Sequence, residues 1–372
     1  KKNIPVIRRA EMLGELLKLK ETSIAISGTH GKTTTCSMLG SILSEAKLNP
    51  TLVIGGIVNN FGSNSILGEG DLIVVEADEF DRSFLSLNPT MSIINNIDLE
   101  HTDCYESIDD VKNAFLSFAN SLPFYGICGV CIDNIHIKDI LNQIKRPYIT
   151  FGFDKDADIR ALSSSYSGLE SKYSVFNKQS FLGDITLSVP GKHNIENSLA
   201  AITMALHLNI DFTIIKAGLE KYKGVKRRLE IKHVFDNGTM LIDDYAHHPS
   251  EVKASLLAIK EAFDNRIITI FQPHLFSRTL NFYHDFAEAL SLTDYLLLLD
   301  IYPSREKPID NVSSQLIYDE MVDKGYSNIF LNHNPSLIPE TINKIYKDGD
   351  IIITMGAGDV NKQNGIIFEA LS

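Results

Sequence analysis

The chain has 372 residues, 44% of them hydrophobic and 22% charged; this excludes wholesale disorder and, at roughly 100–200 residues per domain, predicts two domains. With 35 basic against 47 acidic side chains the net charge is −12, and the absence of any basic run argues against nucleic-acid or anionic-membrane binding. No apolar run approaches the ~20 residues of a membrane helix.

The first residues, Lys1-Lys2-Asn3-Ile4-Pro5, carry no apolar stretch of the secretory kind, so a cytoplasmic location is expected. The first methionine is Met12, and the start reads as cut from a longer chain. From about residue 22, short apolar runs alternate with helical spacing. Ile24–Ile26, Leu52–Ile54, Asp71–Val75, Ser92–Ile94 and Ile127–Ile132 read as strands, and Thr33–Ala46 and Val111–Leu122 as helices. That alternation predicts a parallel sheet with crossover helices. Between about 154 and 190 the pattern becomes polar and β-rich (Tyr173–Phe176, Ile185–Val189), which predicts a small antiparallel appendage. Helical segments follow at Asn194–Leu208 and Phe212–Lys221. A second alternation runs from Met240 to Ile353, with strands at 240–242, 267–271, 295–299, 329–331 and 351–353 and helices at 250–262, 279–291 and 315–324. It reads as a separate α/β domain beginning after the turn Lys223–Lys226.

The four cysteines are Cys36, Cys104, Cys128 and Cys131. Cys128 and Cys131 have CxxC spacing, but no second pair exists to complete a zinc site, and the flanking Gly126-Ile127 and Val130, Ile132 read as a buried strand. Both are expected to be inert core thiols.

Gly28-Thr29-His30-Gly31-Lys32-Thr33-Thr34 follows an apolar strand and opens a helix, the context a phosphate-binding loop requires. Glycines let backbone N–H groups approach phosphate oxygens, and the helix start adds partial positive charge. Lys32 is placed to pair with β/γ-phosphates and Thr33 to ligate Mg²⁺. Ile26 occupies the first glycine position of the longer G-x-x-x-x-G-K-[ST] pattern, so only the shorter form is present. The next apolar strand ends in Glu76, and in a parallel sheet that end faces the ligand crevice; Glu76 is therefore a second candidate Mg²⁺ ligand. Asp78, Glu79 and Asp81 read as a solvated acidic loop. The strand after it runs into Asn96 and His101, which makes His101 a further candidate metal ligand.

Taken together these motifs resemble the ATP-dependent Mur ligases of peptidoglycan synthesis. The resemblance rests on Gly28–Thr34, Glu76–Leu85, Asn96 with His101, Gly191–Asn197, Arg227-Arg228, Asp243–Pro249, Gln272–Arg278 and Gly356–Asp359. Within the family the chain is most similar to members that add L-alanine to UDP-N-acetylmuramate, through Ser83-Phe84-Leu85, the Asp243–Pro249 stretch and the opening Ile4–Leu13. The resemblance implies an α/β architecture: residues 1–20 as a linker from an absent uridine-nucleotide domain, 21–225 as a central ATPase domain with a mostly parallel sheet and a small antiparallel appendage, and 226–372 as a Rossmann-like ligase domain. ATP and Mg²⁺ are the implied cofactors, the small-molecule substrates are the implied partners, and the protein is expected to be a cytoplasmic monomer or weak homodimer in cell-wall synthesis.

By the same resemblance the nucleotide is held by Gly28, Thr29, His30, Gly31, Lys32, Thr33, Thr34, Asn194, Asn197, Arg228 and Asp244. Asn194 and Asn197, at i and i+3, share a helix face. Arg228 is expected to stabilise phosphate charge, and Asp244 to contact ribose or orient the nucleotide. Lys32, Glu76, His101, Arg228 and Asp244 form the implied catalytic set; Thr33, Glu76 and His101 the metal set; and His247, His248 and Arg278 the substrate set. Ala246 stands where many members carry Gly, and Leu275 where some carry Arg. If both domains contribute to catalysis, closure is required. Three alternatives stay open: a sibling ligase of tripeptide recycling or of folylpolyglutamate type, a P-loop kinase or GTPase, and a nucleotide-binding remnant without turnover. The acidic stretch, the second α/β domain and the lack of an N-K-x-D motif count against the kinase or GTPase.

Overall fold

The structure, a computed structural model, describes residues 6–100 and 104–372. They fall into two units that divide in sequence between Val225 and Lys226. In the first unit the elements run α1 (Arg9–Leu17), β1 (Thr22–Ser27), α2 (Lys32–Glu45), β2 (Thr51–Val58), β3 (Ser63–Ile66), β4 (Leu72–Glu76), β5 (Met91–Ile94), α3 (Ile108–Asn120), β6 (Ile127–Cys131), α4 (Ile135–Ile140), β7 (Tyr148–Gly152), β8 (Ile159–Ser167), β9 (Glu170–Asn177), β10 (Ser180–Leu187), α5 (Lys192–His207) and α6 (Phe212–Glu220).

The strands of the described residues form one sheet in the order β10-β9-β8-β7-β6-β5-β1-β4-β2-β3. From β2 through β8 all pairings are parallel. Ile24, Ala25 and Ile26 are fully buried, as a strand covered by helices on both faces requires. β1 lies between β4 and β5, and the chain leaves it through α2 to reach β2. It is thus the point where the strand order reverses, and the loop after it opens onto the crevice that such sheets use for ligands. The antiparallel strands β8-β9-β10 are not a detached layer: β8 pairs in parallel with β7, so they extend the main sheet. Cys128 and Cys131 both lie in β6 as buried free thiols, and burial pushes Cys128 up to about 12; neither is poised to react.

The second unit runs β11 (Glu230–Val234), β12 (Met240–Asp244), α7 (Pro249–Ala262), β13 (Ile267–Phe271), α8 (Phe276–Leu290), β14 (Tyr295–Leu299), α9 (Gln315–Asp323), β15 (Ile329–Asn332), α10 (Ile338–Ile345), β16 (Ile351–Met355) and α11 (Gln363–Leu371). Its sheet order is β11-β12-β16-β13-β14-β15, parallel except for the β11–β12 edge pair. Alternation along each strand supplies two apolar layers. Ile242, Leu298 and Ile353 pack with Val252, Phe286 and Ile317 of α7, α8 and α9. Leu241, Leu297 and Ile352 pack with Ile338 and Ile367 of α10 and α11. Among the described residues no helix is long and apolar enough to cross a membrane.

Candidate active site

The loop Gly28–Gly31 joins β1 to α2. Gly31 is the N-cap of α2 at φ +82°, a left-handed conformation that disfavours a side chain, and a Cβ there would overlap Asn197 Oδ1. The end of β5 braces the loop. The Thr29 amide donates to the Asn96 carbonyl (3.2 Å), the His30 amide to Asn96 Oδ1 (2.7 Å), and the Asp98 amide to Thr29 Oγ1 (2.9 Å). His30 Nε2 lies 3.5 Å from Asp98 Oδ2. Because the Thr29 and His30 amides are held by Asn96, an anion would be received mainly at the start of α2, whose first amides have no partner within the helix. Lys32, Thr33 and Thr34 form that first turn. Behind it, Asn95 Nδ2 donates to Thr35 Oγ1 (2.9 Å), and Thr35 Oγ1 donates to Asn197 Oδ1 (3.2 Å), tying β5, α2 and α5 together.

Lys32 Nζ donates to the Gly28 carbonyl (2.8 Å) and the Thr29 carbonyl (3.3 Å), and lies 2.6 Å from Glu79 Oε2. Burial disfavours its charge, but Glu79 and then Asp78 more than offset this and hold the ammonium above its ordinary range. The acidic stretch is therefore not uniformly solvated. The Asp78 and Asp81 side chains are 61% and 64% exposed, whereas Glu79 is 2% exposed. Glu79 is the functional candidate that the motif spacing missed.

Glu76 ends β4 beside β1, in register with Ile26, and its Oε1 accepts from the Gly55 amide at 2.5 Å. Thr33 and Glu76 offer hard oxygen donors of the kind Mg²⁺ prefers, and the glycine cradle at the start of α2 suits a phosphate chain; the residues present fit both groups. His101 lies outside the described residues. Asn194 and Asn197 are both buried on α5, whose N-cap is Gly191. Asn197 reaches α2 through Thr35, whereas Asn194 turns back and donates to the Pro190 carbonyl (2.7 Å).

In the second unit Asp244 ends β12, 2% exposed. Its Oδ2 accepts from the Leu229 amide (2.8 Å) and Ser255 Oγ (3.3 Å), and its Oδ1 from the Ala246 amide (2.6 Å). Burial pushes the carboxyl up to about 6, against the opposing pull of Arg228. Asp244 thus fixes the backbone just after Arg228 and just after Tyr245. Arg228 Nη1 lies 3.3 Å from Glu251 Oε1 and its guanidinium sits 5.4 Å from the Tyr245 ring centroid. Glu251 also holds His247, whose Nδ1 is 3.2 Å from Oε2. Arg227 braces the same corner through Asp243 (3.1 Å) and the Gly356 carbonyl (2.6 Å). Arg278, on α8, is buried with Nη1 3.2 Å from His274 Nδ1, and the His274 ring is 5.7 Å from that of His247. The substrate set therefore separates. His247 and Arg278 converge through His274, but His248 is buried, caps α7 by accepting the Ser250 amide (3.4 Å), and packs its ring on Phe282.

A glycine loop between a central parallel strand and a helix, with a buried lysine and a carboxylate at the neighbouring strand end, defines a P-loop nucleotide-binding protein, here followed by a second α/β unit. Residues 26–205 match the Mur ligase middle domain and residues 227–358 the Mur ligase glutamate ligase domain. The chain belongs to the Mur ligase family. It is 45% identical over 361 residues (97% of this chain, 75% of the relative) to the UDP-N-acetylmuramate–L-alanine ligase of Syntrophus aciditrophicus. It is 43% identical over 372 residues (100% and 81%) to the enzyme of the same name from Desulforapulum autotrophicum. Among solved structures, UDP-N-acetylmuramate-alanine ligase MurC of Thermotoga maritima matches with a TM-score of 0.81 at 27% identity, covering 98% of this chain and 78% of that one.

Proposed function

We propose that the chain is an ATP-dependent ligase that joins L-alanine to the carboxylate of UDP-N-acetylmuramate, a step of peptidoglycan precursor synthesis. The observation that carries this reading is the 43–45% identity, over 97–100% of the chain, to relatives bearing that name. A carboxylate is a poor electrophile because oxide is a poor leaving group. The substrate carboxylate attacks the γ-phosphorus of ATP; the bond to the bridging oxygen breaks, releasing ADP and leaving an acyl phosphate. The neutral amine of L-alanine attacks the acyl carbon, phosphate departs with the C–O electron pair, and the surplus amine proton passes to solvent. Such transfers need mainly positioning and charge neutralisation.

The α2 amides receive the phosphates and Lys32 neutralises charge on the transferred group. Thr33 and Glu76 would hold one Mg²⁺, and His101, by the family resemblance, would be a ligand for a second; bound metal adds positive charge at the phosphate oxygens. Asn194 and Asn197 face the nucleotide side. Arg228 stabilises phosphate charge, and Asp244 contacts the ribose or orients the nucleotide. His247 and His248 serve the incoming amino acid and Arg278 the acyl substrate; His248 also caps α7.

The test is phosphate release from Mg-ATP with and without both substrates. Release that needs both, and that falls by about 10²–10³ in Lys32→Ala, is expected. Release indifferent to L-alanine would sink the substrate assignment, and release indifferent to Lys32→Ala would sink the phosphate-loop assignment.

A further inference from the structure

Glu79 is built into its position with unusual care. The two residues after Phe80, Asp81 and Arg82, both take left-handed backbone at φ +54°, a conformation that is unfavourable for non-glycine residues and persists only where the surroundings enforce it. Those surroundings are specific. Tyr105 Oη donates to the Glu79 carbonyl at 2.7 Å. Arg82 lies over the Tyr105 ring, 5.0 Å from its centroid, and pairs with Asp110 at 2.5 Å. Phe84 is buried and stacks on Phe118 with centroids 4.9 Å apart. The segment is pinned on both sides of the kink, and the result is one carboxylate turned inward onto Lys32 while its neighbours face water.

We propose that Glu79 is a positioning residue for Lys32: its carboxylate anchors the ammonium over the phosphate loop, so that the cation is already ordered before phosphoryl transfer begins. The inference rests on the reading of Lys32 as the phosphate-neutralising cation. A lysine side chain has four rotatable bonds and much rotamer entropy to lose; the bonds to Gly28, Thr29 and Glu79 fix it in advance. Preorganised charge acts on the transition state more than on the bound ground state, and the α2 amides supply ground-state phosphate binding independently. Removing the anchor should therefore lower kcat more than it weakens ATP binding. Glutamine keeps an acceptor oxygen at the same reach and should restore most of the effect.

The experiment compares the full chain with Glu79→Ala, Glu79→Gln and Lys32→Ala. Substrate-dependent phosphate release, ATP affinity by calorimetry and melting temperature are measured for each, together with the ¹⁵N signal of the Lys32 ammonium without substrates, assigned by its loss in Lys32→Ala. The expected result is at least a ten-fold loss of kcat in Glu79→Ala, less than three-fold change in ATP affinity, recovery by Glu79→Gln to within three-fold of wild type, and an ammonium signal seen in wild type and Glu79→Gln but broadened away in Glu79→Ala. A Glu79→Ala enzyme within two-fold of wild type in kcat would overturn the proposal. So would a loss of kcat matched by an equal loss of ATP affinity, or a Gln variant no better than the Ala variant. If wild type releases no phosphate with these substrates, the function assignment fails separately; the ammonium signal then decides, its persistence in Glu79→Ala overturning the positioning role and its loss upholding it.

Discussion

Gly31 does two jobs at one position. Its left-handed φ starts α2, and its missing Cβ makes room for Asn197 Oδ1. Gly31→Ala is expected to weaken ATP binding at least ten-fold and lower the melting temperature, because the backbone cost of roughly 1–2 kcal/mol adds to a displaced Asn197; titration calorimetry and a thermal melt check both. Asp244 gives a pH signature. Its carboxyl is raised from an ordinary 3.8 to about 6 by burial, so between those values the native state binds more protons than the unfolded one. Stability contributed by this group therefore falls as pH rises from about 4 to about 6, by on the order of 3 kcal/mol. Chemical denaturation across that window should show the decline in wild type and a flatter profile in Asp244→Asn. At this scale the sequence was legible where a candidate residue sits at the boundary of a strongly patterned element. Lys32 and Glu76 stand at the ends of apolar strands or the starts of helices, and were visible for that reason. Glu79 was not, since spacing alone does not tell which of several adjacent carboxylates turns inward; that depends on the kink at Asp81 and Arg82 and on Tyr105, some 25 residues on. His248 shows the converse: its position at the N-cap of a helix whose first residue is Pro249 is a structural role that adjacency to His247 does not announce.

Among the elements, α2 carries the phosphate site at one end and is buried along most of its length, from Thr34 to Leu43. At its far end α6 rests directly on its backbone. Ser41 Oγ donates to the Gly218 carbonyl at 2.7 Å, and a Cβ on Gly218 would come within 2.6 Å of Ile42 Cα. In an isolated helix Gly→Ala stabilises by about 1 kcal/mol; here the sign should reverse. Gly218→Ala is expected to destabilise by about 1–3 kcal/mol, measured by thermal melting, while ATP affinity stays within two-fold, because the contact lies about 15 Å along the axis from Lys32. The long amphipathic or wholly buried elements were readable from periodicity. The elements that pattern reading passed over were α1, β3, α4, β7, β8, β11, α10 and α11. Several are short edge pieces or polar strands, such as Ser63–Ile66 and the Ser163–Ser165 part of β8. Their structure is imposed by a neighbouring strand rather than by their own alternation, which is the information a single sequence lacks.

Across the whole molecule each unit owns its apolar core: a single cluster in the first, and a layer on either face of the sheet in the second. Unfolding should therefore not be one cooperative event. Scanning calorimetry is expected to give a calorimetric enthalpy larger than the van 't Hoff value, with separable transitions for the two units; a single two-state peak would contradict it. The strand order of the second sheet adds a constraint in time. β16, the last of its strands to leave the ribosome, sits between β12 and β13, about 110 and 85 residues upstream in register. Until it emerges, two apolar strand edges await a partner, and the nascent unit presents the kind of open edge that invites intermolecular pairing. A chain cut just before β16 would keep β12 and β13 and lack the strand that joins them, an aggregation-prone product for chaperones and proteases to remove.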